Sequence, residues 1–378
     1  MEFAQPTSNV PDESLRSRWA LVQNRLAEAG VDALLLSGGA DLVFLTQYAA
    51  MPLERVTAFV ARATETQLPT MLIPELERAR VDDRPDVFDL IGWDDKTDPV
   101  ELIAARLAGS KRIAVSNDMW ASHVLALQQQ MPGVEILTVA NALGGIRSIK
   151  TPIERQALLT VGGLADQVVY MLQSGEIPLV GRTESDVADD IAARLLAVGH
   201  DEVQFVIVAS GPNSASPHHH PGDRVIQANE MVLCDFGGTF DSFNSDTTRC
   251  MFTGEIPMDV HDAYDALMVA QQAAVEAAVA GEKLRNVDLA ARKALTNAGY
   301  GEFFIHRTGH GIGVEVHEEP YVGQLSTVDI EVGHAFSIEP GVYIDGKWGM
   351  RLEDIVFIGD DGQAVRCNRT PRELTRVG

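Results

Sequence analysis

The chain contains no run of about 18 apolar residues, which is the length that a membrane-spanning helix needs. Its polar start, MEFAQPTSNVPDESLRSR, has no apolar signal core. Cysteine is scarce as well, because Cys234, Cys250 and Cys367 are an odd number and form no CxxC pair. They are typical of core thiols in a reducing compartment, so we expect a cytoplasmic protein.

Positive charge is also in short supply, with 30 Lys and Arg residues against 54 Asp and Glu residues and a formal net charge of -24. Such a charge argues against nucleic acid or an anionic membrane as a partner. A hydrophobic content of 46% and a charged content of 22% are ordinary for a soluble globular protein. A chain of 378 residues has room for two domains.

The first part of the chain alternates helix and strand patterns. Amphipathic spacing predicts a helix over residues 14–29 that ends at Gly30. Apolar runs then predict strands at VDALLLS, DLVFLTQY, VTAFVARA and PTMLIP. Helices near 100–108 and 118–130, each followed by a strand (RIAVS and VEILTV), complete the pattern of an α/β domain.

The segment GGIRSIKTP, residues 144–152, is the predicted domain boundary. Its glycines break regular structure, and Pro152 suits the first turn of a long helix. We therefore assign residues 1–148 to the first domain and residues 149–378 to the second.

The second part begins with two predicted helices, at about 152–173 and 184–198. Thr183 and Asp186 form a capping pair for the second helix, and Gly199 ends it. Further along, the patterns predict strands at QFVIVAS, EMVLCDF and TTRCMF, two alanine-rich helices at about 259–280 and 286–298, and strands at HAFSIEP, GVYI and MRLEDIVFI.

Scattered along this second part are side chains of the types that bind divalent metals. They are Asp235 in LCDFGG, Asp246 in NSDTTR, His310 in TGHGIG, Glu339 in SIEPG and Glu353 in MRLED. An oxygen-rich set with one imidazole suits a pair of manganese, cobalt or zinc ions better than a thiolate-bound structural zinc. Carboxylates gathered around one point would repel each other strongly without cations, and two dications would cancel that charge.

Each of these residues also has an ordinary explanation. Asp235 and Asp246, on a predicted β-hairpin, could be turn aspartates. Glu353 and Arg351 share a face of a predicted strand and could form a surface ion pair. The glycines around His310 make a helical HExxH zinc motif unlikely. The Arg-rich tail RCNRTPRELTR could be a binding patch, although a solvated end is more usual in so acidic a chain.

Five stretches together resemble a known family: VASGPNSASPHH, CDFGGTFDSFNSDTTR, HRTGHGIGVEVHEEP, FSIEPGVYI and MRLEDIVFI. They are similar to the pita-bread metallopeptidases, the group that includes prolidase, aminopeptidase P, methionine aminopeptidase and creatinase. Creatinase lacks the full ligand set, and methionine aminopeptidases generally lack an N-terminal domain, so both are disfavoured. The resemblance implies an α/β N-terminal creatinase-like domain, an α+β pita-bread catalytic domain and a homodimer.

The resemblance also implies two divalent metal ions per chain, bound by the five residues above, with manganese expected and cobalt or zinc as alternatives. Glu339 would be both a ligand and the base that accepts the water proton. His218 and His317 would hydrogen-bond the scissile carbonyl and the tetrahedral intermediate. The adjacent His219 and His220 leave the first of these assignments open by one position, and such a His-rich loop could also be a surface feature.

Two further residues match positions of the family's active site. Arg351 matches an arginine beside the last ligand, and His306 matches a histidine that lines the substrate pocket. His306 could equally be a core histidine with a satisfied hydrogen bond.

The sequence departs from the family pattern in two places. Prolidases often carry a tyrosine shortly after the DxGG-like segment, where this chain has Phe240 and Phe243. Some prolidases carry an arginine directly after the HE-P segment to hold the carboxylate of a dipeptide, and this chain has Tyr321 there. Arg351, Arg366 or Arg369 could supply that cation instead.

We therefore predict an Xaa-Pro dipeptidase-like metallopeptidase that acts on small peptides. An aminopeptidase P that acts on longer Xaa-Pro peptides is the alternative among enzymes. A non-catalytic binding protein on the same fold is the alternative from another class.

Overall fold

The computed structural model describes residues 10–51, 53–64 and 67–377. The polar residues 1–9, at the start predicted to lack a signal core, lie outside this range. The chain divides into two compact units, one that ends at Arg147 and one that begins at Ser148. None of the helices in the described part has the length and apolar character needed to cross a bilayer.

The first unit is a six-stranded mixed sheet with strand order β4-β3-β2-β1-β5-β6. Its elements in chain order are α1 (Asp12–Glu28), β1 (Ala33–Leu36), α2 (Gly39–Thr46), β2 (Ala58–Arg62), β3 (Thr70–Pro74), β4 (Asp89–Trp93), α3 (Pro99–Arg106), β5 (Arg112–Val115), α4 (Ala121–Gln130), β6 (Glu135–Thr138) and α5 (Val139–Leu143). Strand β1 pairs antiparallel with β2 and parallel with β5. The predicted α/β class of this part is confirmed.

The predicted strand DLVFLTQY is wrong, because most of it belongs to helix α2. All residues of α2 except Asp41 are buried, so the segment is apolar on every side and shows no helical periodicity. Gly38 and Gly39 adopt φ values of 80° and 72°, and this left-handed conformation turns the chain from β1 into the helix. Strand β4 was not predicted from the sequence, and its first residue, Asp89, is exposed and polar.

The second unit contains helices and three sheets, as expected for an α+β domain. Its elements are α6 (Pro152–Gln173), α7 (Glu184–Val198), β7 (Glu202–Ser210), β8 (Met231–Phe240), β9 (Phe243–Asn244), β10 (Thr247–Thr253), α8 (Met258–Ala277), α9 (Leu284–Asn297), β11 (Gly309–Gly311), β12 (Glu318–Val322), β13 (Ala335–Ile338), β14 (Gly341–Ile344), β15 (Trp348–Arg351), β16 (Asp354–Ile358), β17 (Ala364–Arg366) and β18 (Thr375–Val377). One sheet has the order β18-β10-β8-β7, with β9 paired to β8. A second has the order β12-β11-β13-β16-β17, and β14 pairs with β15.

Helices α6 and α7 begin as the sequence predicts. Thr151 caps α6 in a reciprocal capping box with Glu154, and Pro152 occupies the first turn. Thr183 and Asp186 form the same arrangement at α7, which ends at Gly199 with φ of 117°. Both helices bury an apolar face in one core with strands β7, β8 and β10. Helices α8 and α9 share a second core with β13 and β16.

The predicted strand MRLEDIVFI is interrupted. Strand β15 ends at Arg351 and β16 begins at Asp354, which leaves Leu352 and Glu353 outside regular pairing. The predicted hairpin around Gly237 and Gly238 is present, because β8 pairs antiparallel with β9 and β10.

Candidate metal centre and active site

The five predicted metal ligands all lie on strands of the second unit or directly beside them. Asp235 is on β8, Asp246 precedes β10, His310 is on β11, Glu339 follows β13, and Glu353 lies between β15 and β16. These elements are far apart in sequence, and only the pairing of the strands brings their side chains together.

Two glycines permit the close strand approach that this gathering needs. A Cβ at Gly237 would lie 2.1 Å from the carbonyl oxygen of Ser245, next to Asp246. A Cβ at Gly309 would lie 1.9 Å from the carbonyl oxygen of Ser337. Any larger residue at these positions would push apart the strands that carry the candidate ligands.

The ligand atoms form three overlapping groups in which all members lie within 4.8 Å of one another. The groups are Asp235, Asp246 and Glu353; His310, Glu339 and Glu353; and Asp246, His310 and His317. His310 Nε2 lies 3.6 Å from Asp246 Oδ2 and 3.3 Å from Glu339 Oε1. Because the groups share members, the arrangement suits two neighbouring ions better than one.

The electrostatics of the cluster are those of a site built for cations. Burial, together with the charges of Glu353, Asp235 and Glu339, raises the pKa of Asp246 well above its usual value. Burial and then the neighbouring Glu339 and Asp235 raise the pKa of Glu353 in the same way. For Glu339, burial and the charge of Asp235 outweigh the attraction of Arg351 and raise the pKa to about 7. These carboxylates cannot all be ionised at neutral pH unless positive charge lies between them.

Asp235 also carries a buried oxygen, Oδ1, with no hydrogen-bond partner among the described residues. A buried carboxylate oxygen without a donor is costly unless something positive binds it. Hard carboxylate oxygens with one imidazole nitrogen are suitable donors for divalent ions such as manganese, cobalt and zinc. The residues present therefore fit a pair of such ions.

Arg351 is the centre of the hydrogen bonds that orient these ligands. Its Nη2 lies 2.5 Å from Asp235 Oδ2, its Nε donates to Thr248 Oγ1 at 3.0 Å, and its Nη1 donates to the Tyr343 hydroxyl at 3.0 Å. Thr248 Oγ1 in turn donates to Glu353 Oε2 at 2.6 Å. Arg351 and Glu353 are both buried, so the alternative of a surface ion pair is wrong.

A second set of hydrogen bonds links His310 and Glu339 through Ser337. The main-chain nitrogen of His310 donates to Ser337 Oγ at 3.0 Å, and this hydroxyl donates to Glu339 Oε1 at 3.1 Å. Ser337, Thr248 and Tyr343 were not predicted from the sequence as residues of the site. Thr248 could have been found, because it lies two residues after Asp246 and side chains two apart in a strand share a face.

The other predicted histidines lie beside this cluster. The rings of His310 and His317 have centroids 3.8 Å apart. His317 keeps an exposed face, and burial of the rest of its ring, together with the charge of Arg307, lowers its pKa. His306 Nε2 lies 2.9 Å from the Tyr343 hydroxyl. Burial and then the charge of Arg351 lower the pKa of His306 to about 3, so its ring is neutral at physiological pH.

The adjacent residues His218 and His219 have different surroundings. His219 Nε2 lies 2.7 Å from Glu184 Oε2, so this ring is engaged by a buried carboxylate. His218 is exposed, and its charge contributes, after burial, to lowering the pKa of both His306 and His317. These two observations favour His218 over His219 as the first donor, and the choice among the three histidines stays a prediction.

The two departures from the family pattern have different surroundings. Phe243 packs in a core cluster with residues of α6, and Phe240 pairs with it across the β8–β9 turn. Tyr321 lies on β12, where its ring is covered by the guanidinium of Arg307. A tyrosine hydroxyl is still present near the ligands, because Tyr343 contacts both Arg351 and His306.

Comparisons with known proteins agree with this arrangement. A sequence model described as metallopeptidase family M24 matches residues 155–360, and one described as the creatinase/prolidase N-terminal domain matches residues 18–149. The probable dipeptidase PepE of Mycobacterium tuberculosis is 41% identical over 95% of this chain and 96% of its own length. The Xaa-Pro dipeptidase of Lactobacillus delbrueckii subsp. lactis is 35% identical over 90% of this chain and 94% of its own length.

Solved structures give the same picture. The crystal structure of dipeptidase PepE from Mycobacterium ulcerans superposes with a TM-score of 0.91 at 38% identity and covers 98% of this chain and 100% of that one. The recombinant prolidase from Thermococcus sibiricus has a TM-score of 0.84 at 29% identity, with coverage of 98% and 100%. The predicted combination of a creatinase-like N-terminal domain and a pita-bread catalytic domain is confirmed.

Proposed function

The chain belongs to metallopeptidase family M24, and from that premise we propose that it hydrolyses the Xaa-Pro bond of dipeptides. The convergence of Asp235, Asp246, His310, Glu339 and Glu353 in one buried cluster is the observation that carries this proposal. Relatives that match over nearly their whole length bear the names dipeptidase and Xaa-Pro dipeptidase. They support the choice of dipeptides as the substrate class.

We assign the five clustered residues as ligands of two divalent ions, with manganese as the expected metal and cobalt or zinc as alternatives. When bound, such ions supply a nucleophilic water at neutral pH and polarise the scissile carbonyl. The unpaired Oδ1 of Asp235 and the raised pKa values of Asp246 and Glu353 support this assignment.

Glu339 is the proposed general base. Its carboxylate accepts the proton of the attacking water and delivers it to the leaving nitrogen of proline. Ser337 Oγ donates to Glu339 Oε1 at 3.1 Å and so orients the carboxylate for that transfer.

His218 and His317 are the proposed donors to the substrate carbonyl. Because charge develops on this oxygen as the tetrahedral intermediate forms, donors aimed at it stabilise the transition state more than the substrate. His317 lies against His310, which puts a donor beside the ligand cluster. His306 and the Tyr343 hydroxyl, 2.9 Å from its Nε2, form the neighbouring wall of the site.

The leaving group explains why such a site selects by shape. An Xaa-Pro bond has no amide hydrogen, so a selective site must tolerate the missing donor and recognise the proline ring. The aromatic ring of Tyr343 and the neutral imidazole of His306 offer surfaces of that kind.

The test is hydrolysis by protein stripped of metal and then supplied with manganese, cobalt or zinc. We expect cleavage of Ala-Pro, slower cleavage of Ala-Pro-Ala and none of Met-Ala. A clear preference for Ala-Pro-Ala would replace the dipeptidase by an aminopeptidase P. That second candidate is favoured by one observation, because Tyr321 stands where some prolidases have an arginine. Binding of peptides without any cleavage would instead favour a non-catalytic protein.

We also propose that the protein works as a homodimer in the cytoplasm, without a nucleic-acid or membrane partner. The burial of Cys234, Cys250 and Cys367 as free thiols supports a reducing compartment, and the net charge of -24 supports the absence of a nucleic-acid or membrane partner. The homodimer rests on the family resemblance alone. We further propose a domain boundary between residues 148 and 149, which is supported by the separation of the compact units at Arg147 and Ser148. Sedimentation equilibrium and limited proteolysis test these two points.

A further inference from the structure

We propose that Arg307, stacked on Tyr321, binds a carboxylate group of the substrate. The inference rests on the proposed function and deepens it by naming the cation that selects the substrate. Two substrate carboxylates share this chemistry, namely the C-terminal carboxylate of a dipeptide and an acidic Xaa side chain.

Arg351 is poorly suited to this task because its donors are already engaged. Its Nη2 binds Asp235 Oδ2 at 2.5 Å, its Nε donates to Thr248 Oγ1 at 3.0 Å, and its Nη1 donates to the Tyr343 hydroxyl at 3.0 Å. A guanidinium with this many fixed partners orients the ligand cluster and cannot turn toward a substrate without releasing Asp235.

Arg369, the third candidate from the sequence, lies after β17, where its main-chain nitrogen donates to Asp166 of α6, and no contact links it to the ligand cluster within the described residues. Two other arginines are occupied elsewhere. Arg366 Nη2 donates to the side-chain oxygens of Gln271 and Gln272 at 3.2 and 2.7 Å. Arg292 Nε donates to Asp288 Oδ2 at 2.6 Å, and its Nη1 donates to the carbonyl of Phe304 at 2.9 Å. Neither side chain has the free planar edge that a carboxylate needs.

Arg307 has that free edge. Its Cζ lies 4.1 Å from the centre of the Tyr321 ring, and its side chain is exposed. Within the described ranges 10–51, 53–64 and 67–377, its guanidinium makes no hydrogen bond or ion pair. Stacking engages the face of the guanidinium and leaves its in-plane N–H groups available for a bidentate carboxylate.

The position of Arg307 follows from its neighbours in the site. Its main-chain oxygen lies 2.7 Å from His306 Nδ1, so its backbone is held by a residue of the proposed pocket. Tyr321 lies on β12, which pairs with β11, the strand that carries His310. The arginine and the tyrosine therefore stand beside the ligand cluster on two paired segments.

The charges around Arg307 agree with this position. Glu319 shares the less buried face of β12 with Tyr321. Within the described residues, no ion pair joins its carboxylate to the guanidinium of Arg307, so the arginine stays available to a substrate.

The experiment compares two pairs of substrates that differ only in one negative charge. Ala-Pro and Ala-Pro amide differ at the C-terminal carboxylate, and Asp-Pro and Asn-Pro differ at the Xaa side chain. The variants are Arg307→Met, which keeps length without charge, and Arg307→Lys, which keeps charge without the planar fork. Arg285→Met is the matched control, because Arg285 is an exposed arginine on α9.

For Arg307→Met we expect a loss of roughly 10- to 100-fold in kcat/KM, mainly through KM, for the charged member of at least one pair. The kcat/KM for the uncharged member should change by less than about threefold. Arg307→Lys should retain part of the preference for the charged substrate over the uncharged one. If the variant no longer prefers Ala-Pro over Ala-Pro amide, Arg307 binds the C-terminal carboxylate. If it no longer prefers Asp-Pro over Asn-Pro, Arg307 binds the acidic Xaa side chain. Metal content and the circular dichroism spectrum should match those of Arg285→Met.

The outcomes separate this inference from the proposed function. If the unmodified enzyme cleaves Xaa-Pro dipeptides and Arg307→Met leaves both preferences intact, only the role of Arg307 is overturned. If all four substrates lose activity equally in Arg307→Met and in Arg307→Lys, the arginine supports structure and the inference is also overturned. An unmodified enzyme that cleaves none of the four substrates would overturn the proposed function and this inference with it.

Discussion

The candidate active site has two parts that are built in opposite ways. The ligand cluster, formed by Asp235, Asp246, His310, Glu339 and Glu353, lies on paired strands and is almost wholly buried. The rim, formed by His218, Arg307 and His317, lies in connecting segments and is exposed. The cluster gathers carboxylate oxygens that need positive charge, whereas the rim carries side chains that can donate hydrogen bonds.

This difference separates the residues that carry out the reaction from those that select the substrate. Carboxylates that are buried together have strongly perturbed pKa values, and small changes in their number or position alter which ions they can hold. Replacing an exposed donor leaves the packing of the core unchanged. We therefore expect substitutions in the cluster to abolish the reaction and substitutions at the rim to reduce it in graded steps.

The largest effect should come from removing one ligand charge. Asp246→Asn should lower kcat by more than roughly 10³-fold and release at least one ion, since metal ions supply several kcal/mol of transition-state stabilisation. Elemental analysis and steady-state kinetics measure both effects. Asp241→Asn is the control, because Asp241 lies on the same hairpin at φ of 50°, a conformation that asparagine tolerates. Full activity in metal-free protein would contradict the assignment of the cluster.

A smaller effect is expected where the rim meets the cluster. His317→Ala should lower kcat by roughly 10²- to 10³-fold, because it removes a donor to the developing oxyanion. Metal content should stay near that of the unmodified protein. His261→Ala, an exposed histidine on α8, is the control. A variant that loses its ions and recovers normal turnover when they are resupplied would move His317 from the rim into the cluster.

A third substitution tests how the rim is held. Glu184 is fully buried and accepts from the main-chain nitrogen of Ser210 at 2.8 Å, from Asn213 Nδ2 at 3.1 Å and from His219 Nε2. It thereby anchors the loop that carries His218. Glu184→Gln should lower kcat by about tenfold at most, with normal metal content, since the amide keeps the shape but loses charge-assisted hydrogen bonds.

The reason for that loss can be checked with a double variant. If Glu184 acts through His218, then Glu184→Gln should cost little further activity in a His218→Ala background. Glu176→Gln, which changes an exposed carboxylate paired with Arg194, is the control. Additive losses would show that Glu184 serves the fold rather than the position of His218.

The smallest effect concerns the stability of the metal-free protein. Burial and Asp235 raise the pKa of Glu339 from 4.5 to about 7. At pH values between about 4.5 and 7, Glu339 binds more protons in the folded state than in the unfolded state. The free energy of unfolding therefore rises as the pH falls through about 7, and the contribution of Glu339 reaches its full value below about 4.5.

Calorimetry of the stripped protein should therefore give a Tm roughly 5 °C higher at pH 5.5 than at pH 8. Glu339→Gln should flatten this dependence, and added manganese should raise Tm most at pH 8, where protons compete least. A stripped protein that is most stable at pH 8 would contradict the proposed repulsion within the cluster.

Much of the fold could be predicted because its determinants are local. The capping boxes at Thr151 and Thr183 and the helix end at Gly199 depend on a few adjacent residues and appear as expected. The helix α2 was missed for the opposite reason. It is buried on nearly all sides, and an apolar segment of eight residues looks the same whether it forms a buried helix or a buried strand.

The chemical character of the site follows from residue types alone, because Asp, Asp, His, Glu and Glu limit the metals that can bind. The neighbours that complete the site depend on how the chain folds. Arg351 reaches Asp235 across 116 residues of chain, and Glu184 engages His219 from another element. Arg307 is available because no strand or helix places an acidic partner against it within the described residues. Such contacts form through space between distant segments, and neither spacing nor periodicity along the chain encodes them.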